Sequence, residues 1–263
     1  MSSRSLKKIL KICATARTQV RGVWEKNNGL IAAAAFICFA LGLALILLAA
    51  ASVVVGTFYF ARLRPGYSHI ANTISELEET GAPRAGLVAY GFFLPVGLMV
   101  WLAFWLIQRG RADKEASAAL LALSCLGTGY VVSAFAPCDP GAPLLGSGRT
   151  LVHNLAGLID YGGTGVEFLL VARRHTKNAA ASQAGFIVAG ASWLVCLVLL
   201  LPVSHIRGGV QRVVEVIQFS GVFFACLLLS KQLPPNERPA LDPGTGARLQ
   251  SGHKRPGASE SKR

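Results

Sequence analysis

Charge is scarce in this sequence, and acid is scarcer still. Charged residues make up 15% of the 263 positions, with 13 Asp and Glu against 26 Lys and Arg. Ordinary soluble domains carry about a quarter charged residues, so a chain that is 52% hydrophobic falls outside that class. Histidine is thin as well, and no two histidines stand at HxxH or HxxxH spacing, so the paired ligands of a helix-borne metal site are missing. The six cysteines make no disulfide framework. Cys38, Cys125, Cys196 and Cys226 fall inside apolar runs and Cys13 in a basic segment, which leaves Cys138 without a partner. No repeat relates the first half of the chain to the second, so an inverted-repeat transporter gains no support.

What the sequence does have is apolar length. A bilayer core about 30 Å thick needs about 20 helical residues to cross it. Six runs qualify: Gly29–Ala61, Leu87–Ile107, Ser117–Ala136, Leu151–Ala172, Ala184–Ser204 and Val213–Ser230. Hydrocarbon offers backbone amides no water, so each run is expected to be helical. The expected fold is an all-α polytopic membrane protein, a six-transmembrane-helix bundle over residues 29–231. The first run would reach about 50 Å as one helix, and it reads as a single tilted helix projecting from the outer face. Residues 1–28 form a basic segment in which Leu6, Ile9, Leu10 and Cys13 recur at helical spacing, as in an interfacial amphipathic helix. Residues 232–263 are rich in Pro, Gly, Ser and charge, and are expected to be disordered.

The basic residues orient the bundle. Only Arg62, Arg64, Arg84, Arg149, Arg207 and Arg212 lie in one set of alternate loops, whereas the other 20 flank the opposite ends of the runs and fill both termini. By the positive-inside rule both termini are cytoplasmic. A net charge of +13 spread over membrane flanks points to anionic inner-leaflet lipids as partners and not to nucleic acid.

The outer side then collects the polar residues. Residues 62–85 read RLRPGYSHIANTISELEETGAPRA, with turns at Pro65-Gly66 and Gly81-Ala82-Pro83. Between the turns, Ile70, Ile74 and Leu77 recur as on a short interfacial helix with one face on the bundle. An outward-facing pocket is expected from Tyr67, Ser68, Asn72, Ser75, Glu76, Asp139, His153, Asn154, Asp160 and Arg212. Three acids, Asp160, Glu167 and Glu215, fall inside spans, where ionisable groups must face the bundle interior or a wet cavity. His153, Asp160 and Glu167 are seven apart and share one face of a regular helix. Arg212 is the nearest cation to neutralise Asp160.

Three functions fit this set. Lipid or headgroup handling would use the polar pocket as a binding site. A metal-dependent hydrolase at the outer leaflet would gather His69, His153 and His205 with Asp139 around zinc, with Cys138 as a further ligand. A proton- or ion-coupled small-solute transporter would use the stripe of acids.

Several motifs together resemble a bacterial multi-pass membrane family of unknown function, DUF998. They are Pro65-Gly66-Tyr67-Ser68, Asn72-Thr73-Ile74-Ser75-Glu76-Leu77, Gly81-Ala82-Pro83, Phe135-Ala136-Pro137-Cys138-Asp139, His153-Asn154-Leu155-Ala156-Gly157 and Gln211-Arg212. The chain departs from the pattern in Ala136, between Phe135 and Pro137, and in Glu78, where Gly is usual; neither departure removes an ionisable group. The resemblance implies an integral protein of the bacterial inner membrane without an assigned activity.

Overall fold

A computed structural model describes residues 3–109, 118–174, 179–199 and 205–230. Six helices account for most of them, and no strand occurs among the described residues. Helix α1 is Ser3–Arg62, 60 residues without a break, so the basic segment continues straight into the first apolar run. Helix α2 spans Ala85–Arg109, α3 Ala118–Phe135, α5 Ala179–Leu199 and α6 Arg207–Ser230. Helix α4 starts as Gly148–Gly157, passes through a π-helical turn at Leu158–Gly163 and continues as Thr164–Arg174. The tail from residue 232 and the basic positions Arg111, Lys114 and Lys177 lie outside the described residues.

Four helices are long and apolar enough to cross a membrane: Gly29–Arg62, Ala85–Arg109, Gly148–Arg173 and Arg207–Leu227. Leu121–Phe135 and Ser182–Val198 are shorter apolar helices. Large apolar side chains stand exposed along the outside of the bundle, Phe36, Leu47, Val55, Trp105, Ile187, Leu197 and Phe224 among them. Such a surface is stable in hydrocarbon and not in water, and the protein is membrane-embedded.

Each helix packs on the next, and α6 returns to α1, with α3 against α2, α4 and α6. Lipid tails are as apolar as leucine, so close backbone approach, and not hydrophobic exclusion, holds such helices together. The α2–α3 crossing has that form. Any side chain at Gly97 would strike the Val131 amide and the Gly127 carbonyl, and one at Gly127 would strike Trp101.

The loop between α1 and α2, expected to be the first outer loop, departs from expectation. Only Ser75–Leu77 is helical, a single 3-10 turn, and the rest is a chain of turns. Ile74 and Leu77 are buried, but Ile70 points outward. The reason is competition from side chains: the Thr73 amide donates to Glu76 Oε1 (2.9 Å) and the Ile74 amide to Gln211 Oε1 (2.8 Å). Amides so engaged cannot join a helical ladder.

Candidate functional site

Helices α3, α4 and α6 and the first outer loop enclose a cavity of about 310 Å³. Its inner end is polar. Glu215 Oε1 accepts from the Tyr161 hydroxyl (2.6 Å) and Oε2 from the Tyr130 hydroxyl (2.9 Å). Gln211 Nε2 donates to the Tyr161 oxygen (2.9 Å), while Gln211 Oε1 holds the Ile74 amide of the loop above. Asp160 faces the same space, 5% exposed, close enough to Glu215 to interact electrostatically, and its Oδ1 has no hydrogen-bond partner.

The π turn in α4 makes this arrangement possible. A π turn carries more residues than an α turn, so the consecutive Asp160 and Tyr161 both point inward. It also breaks the seven-residue register. His153 and Asp160 line the cavity, whereas Glu167 is half-buried outside it. Gly129 of α3 lies directly against the Asp160 carboxyl, with no room there for a Cβ.

Above the cavity the first outer loop is pinned by three arginines. Arg64 Nη1 donates to the Glu76 carbonyl, and its Nη2 meets Glu79 Oε1 (2.5 Å). Arg207 Nη2 meets Glu76 Oε1 (2.7 Å) and the Gly141 carbonyl (2.7 Å). Arg212 donates to the Tyr67 hydroxyl (2.5 Å) and to the carbonyls of Asn72 (2.9 Å) and Gly208 (2.7 Å). The expected pairing of Arg212 with Asp160 is therefore not formed: its guanidinium is occupied in the loop. Asn72 completes the knot through Glu76 Oε2 (2.5 Å). Burial pushes the Tyr67 phenol up to about 12 even beside Arg212, so it stays a neutral link that also donates to the Thr73 carbonyl (2.7 Å).

Of the residues expected to form the pocket, Ser75, His153, Asn154 and Asp160 line this cavity. Tyr67, Asn72, Glu76 and Arg212 are joined in the knot above it. Ser68 caps the turn below Asn72, its amide donating to Asn72 Oδ1 (2.8 Å). Asp139 belongs to the start of α4, where it accepts from the Ser147 amide (2.6 Å) and hydroxyl (2.9 Å). Hydrogen bonds from Ser147 and Thr150 hold its carboxyl below the usual range. Ser147 in turn caps α4 through the Thr150 amide.

The zinc ligand set does not come together. Among the described residues no group of three or more His, Cys, Asp or Glu is placed to hold a metal ion. His153 is buried, with Nδ1 3.0 Å from the Ala136 carbonyl. His69 packs on the rings of Phe58 and Tyr67, and burial lowers its basicity. His205 is exposed ahead of α6, and Asp139 is consumed by the α4 cap. Cys138 is buried, and burial, helped by Glu78, pushes its thiol well up, so it is no ready thiolate ligand.

Three further groups emerge only in three dimensions. Tyr130 and Tyr161 lie inside apolar runs, where a phenol in mid-span needs a partner and so signals a nearby acceptor. Glu78 is the third. It is fully buried, neither carboxyl oxygen has a hydrogen-bond partner, and His153 Nδ1 stands 3.5 Å away. Burial pushes the Glu78 carboxyl up to about 9.

Residues 47–229 match the family described as "Protein of unknown function (DUF998)", which covers most of the chain and the whole cavity. The chain belongs to the DUF998 family. No curated protein and no solved structure matches it. Every residue of the DUF998 cavity lies within the matched region, while most of α1 and the basic tail lie outside it.

Proposed function

We propose that this DUF998 protein is a six-span protein of the bacterial cell membrane, with both termini cytoplasmic, that binds the headgroup end of a membrane lipid in its outward cavity. The observation that carries this reading is the two-sided character of the cavity. Leu144, Leu155 and Leu158 line it while each leaves about half its surface exposed on the outside of the bundle (46%, 56% and 53%). Asp160, Glu215, Tyr130, Tyr161 and Gln211 line its inner end. An apolar wall shared with the bilayer and a polar interior suit a molecule with a tail and a head.

The test uses a glycine. Gly157 lines the cavity, and a Cβ added there meets nothing within 4 Å. Gly157→Leu is therefore accepted by the helix and fills the cavity. Wild-type protein in mild detergent is expected to hold one lipid through native mass spectrometry, and Gly157→Leu to release it with folded yield unchanged. Equal lipid retention by the two proteins would sink the reading.

A further inference from the structure

We infer that Asp160 and Glu215 form a seat for a protonated primary amine, a group that can reach them as a lipid headgroup or as a small free solute. The inference rests on the reading of the cavity as a binding site and names the ligand chemistry of that site.

The hydrogen-bond directions fix what the seat offers. Tyr161 accepts from Gln211 Nε2, so its single proton is directed at Glu215 Oε1; Tyr130 gives its proton to Oε2. Glu215 is thus held from two sides as an acceptor, 4% exposed, its orientation set by two phenols. Asp160 adds a carboxyl 5% exposed whose Oδ1 has no partner. Buried polar atoms are nearly always hydrogen-bonded, and Asp160 lines the cavity, so a donor bound there is the partner assigned to this buried oxygen.

A positive donor would relieve the charge as well. Two buried carboxyls within electrostatic reach need a cation or a shared proton between them. Among the described residues no cation is free to serve: Arg207 lines the cavity but is held by Glu76, and Arg64 and Arg212 are held by Glu79 and Tyr67 in the loop above. His153, the other basic group on the cavity, turns Nδ1 to the Ala136 carbonyl. A primary ammonium brings one charge and three N–H donors, enough to satisfy Asp160 Oδ1 and the spare acceptor capacity of Glu215. A quaternary ammonium has the charge but no N–H, and it would leave that oxygen unpartnered.

Two measurements on the full chain decide the matter. In the first, protein is incubated with equimolar phosphatidylethanolamine, phosphatidylcholine and phosphatidylglycerol, and retained lipid is read by native mass spectrometry. Ethanolamine lipid is expected to exceed choline lipid by roughly tenfold or more, the value of a charge-assisted hydrogen bond. Asp160→Asn and Glu215→Gln should each erase that preference. In the second, thermal unfolding in detergent is compared with methylammonium and with tetramethylammonium; only methylammonium should raise the midpoint, and Asp160→Asn should abolish the rise. A methylammonium effect without retained lipid would keep the amine seat and overturn the lipid reading. Equal retention of ethanolamine and choline lipids, with neither amine raising the midpoint, would overturn the seat. Preference for the anionic lipid would also overturn it, yet would leave a headgroup site standing. Should the variants fail to fold, the wild-type comparisons decide alone.

Discussion

A single carboxyl, Glu78, sets the pH response expected of the loop between α1 and α2. It stands beside His153 and Cys138, between Glu76 and Glu79, which have their own partners in Arg207 and Arg64. In the unfolded chain Glu78 ionises near its ordinary 4.5, whereas in the fold it keeps its proton to about 9. Between those values the folded state binds more protons, so stability falls as pH rises through that window. Glu78→Gln preserves the shape and removes the titration. The variant should therefore gain on wild type in thermal midpoint from about pH 5 to pH 9, at a limit of about 1.4 kcal/mol per pH unit. A difference that stays constant over that range would mean that Glu78 is ionised in the fold and paired with a protonated His153. In sequence, Glu78 is one more acid in an acidic loop. Its position facing inward depends on the 3-10 turn before it, which periodicity does not reveal.

At the scale of elements, the π turn Leu158–Gly163 is the feature on which the site depends, and it is the least legible in sequence. Reading a helix with a fixed 3.6-residue period puts His153, Asp160 and Glu167 on one stripe, and the extra residue of the turn breaks it. The runs themselves are plain, because the bilayer demands length and apolarity of every span. The inward acids are nearly as plain, because hydrocarbon forbids them elsewhere. The bonds among Tyr130, Tyr161, Gln211 and Glu215 are not, since they join residues 50 to 85 positions apart. A π turn amounts to one residue inserted into an α-helix, so deleting Gly162 should restore regular helix while leaving the flanking turns in phase. The expected outcome is a folded protein, monodisperse on gel filtration, whose Asp160 and Tyr161 no longer both face the cavity and which retains no lipid. Unchanged lipid retention would mean that the turn is incidental to the site.

Across the whole molecule, the distribution of charge predicts an orientation. The lysines and arginines expected on the inner flanks would act through the membrane's positive-inside bias, a property of number and not of geometry. Arg64, Arg207 and Arg212 stand apart from those clusters, each committed to the knot of the loop between α1 and α2, where losing Arg64 or Arg207 would strand a buried carboxylate. The shorter apolar helices come closest to the length limit for a crossing. Helix α3, at 18 residues, rises about 27 Å, just under the hydrocarbon thickness of about 30 Å. Leu145 is 78% exposed in the loop after α3, His205 is exposed before α6, and Arg173 is exposed at the end of α4. In intact cells a membrane-impermeant maleimide should label Leu145→Cys and His205→Cys at once, and Arg173→Cys only after permeabilisation. The native cysteines Cys138 and Cys226 are buried and should contribute little background. Labelling of Leu145→Cys and Arg173→Cys from the same side would mean that α4 does not cross. Labelling of all three positions in the reverse sense would place the arginine knot and the cavity beneath it on the cytoplasmic side, and the ligand would then have to come from the inner leaflet.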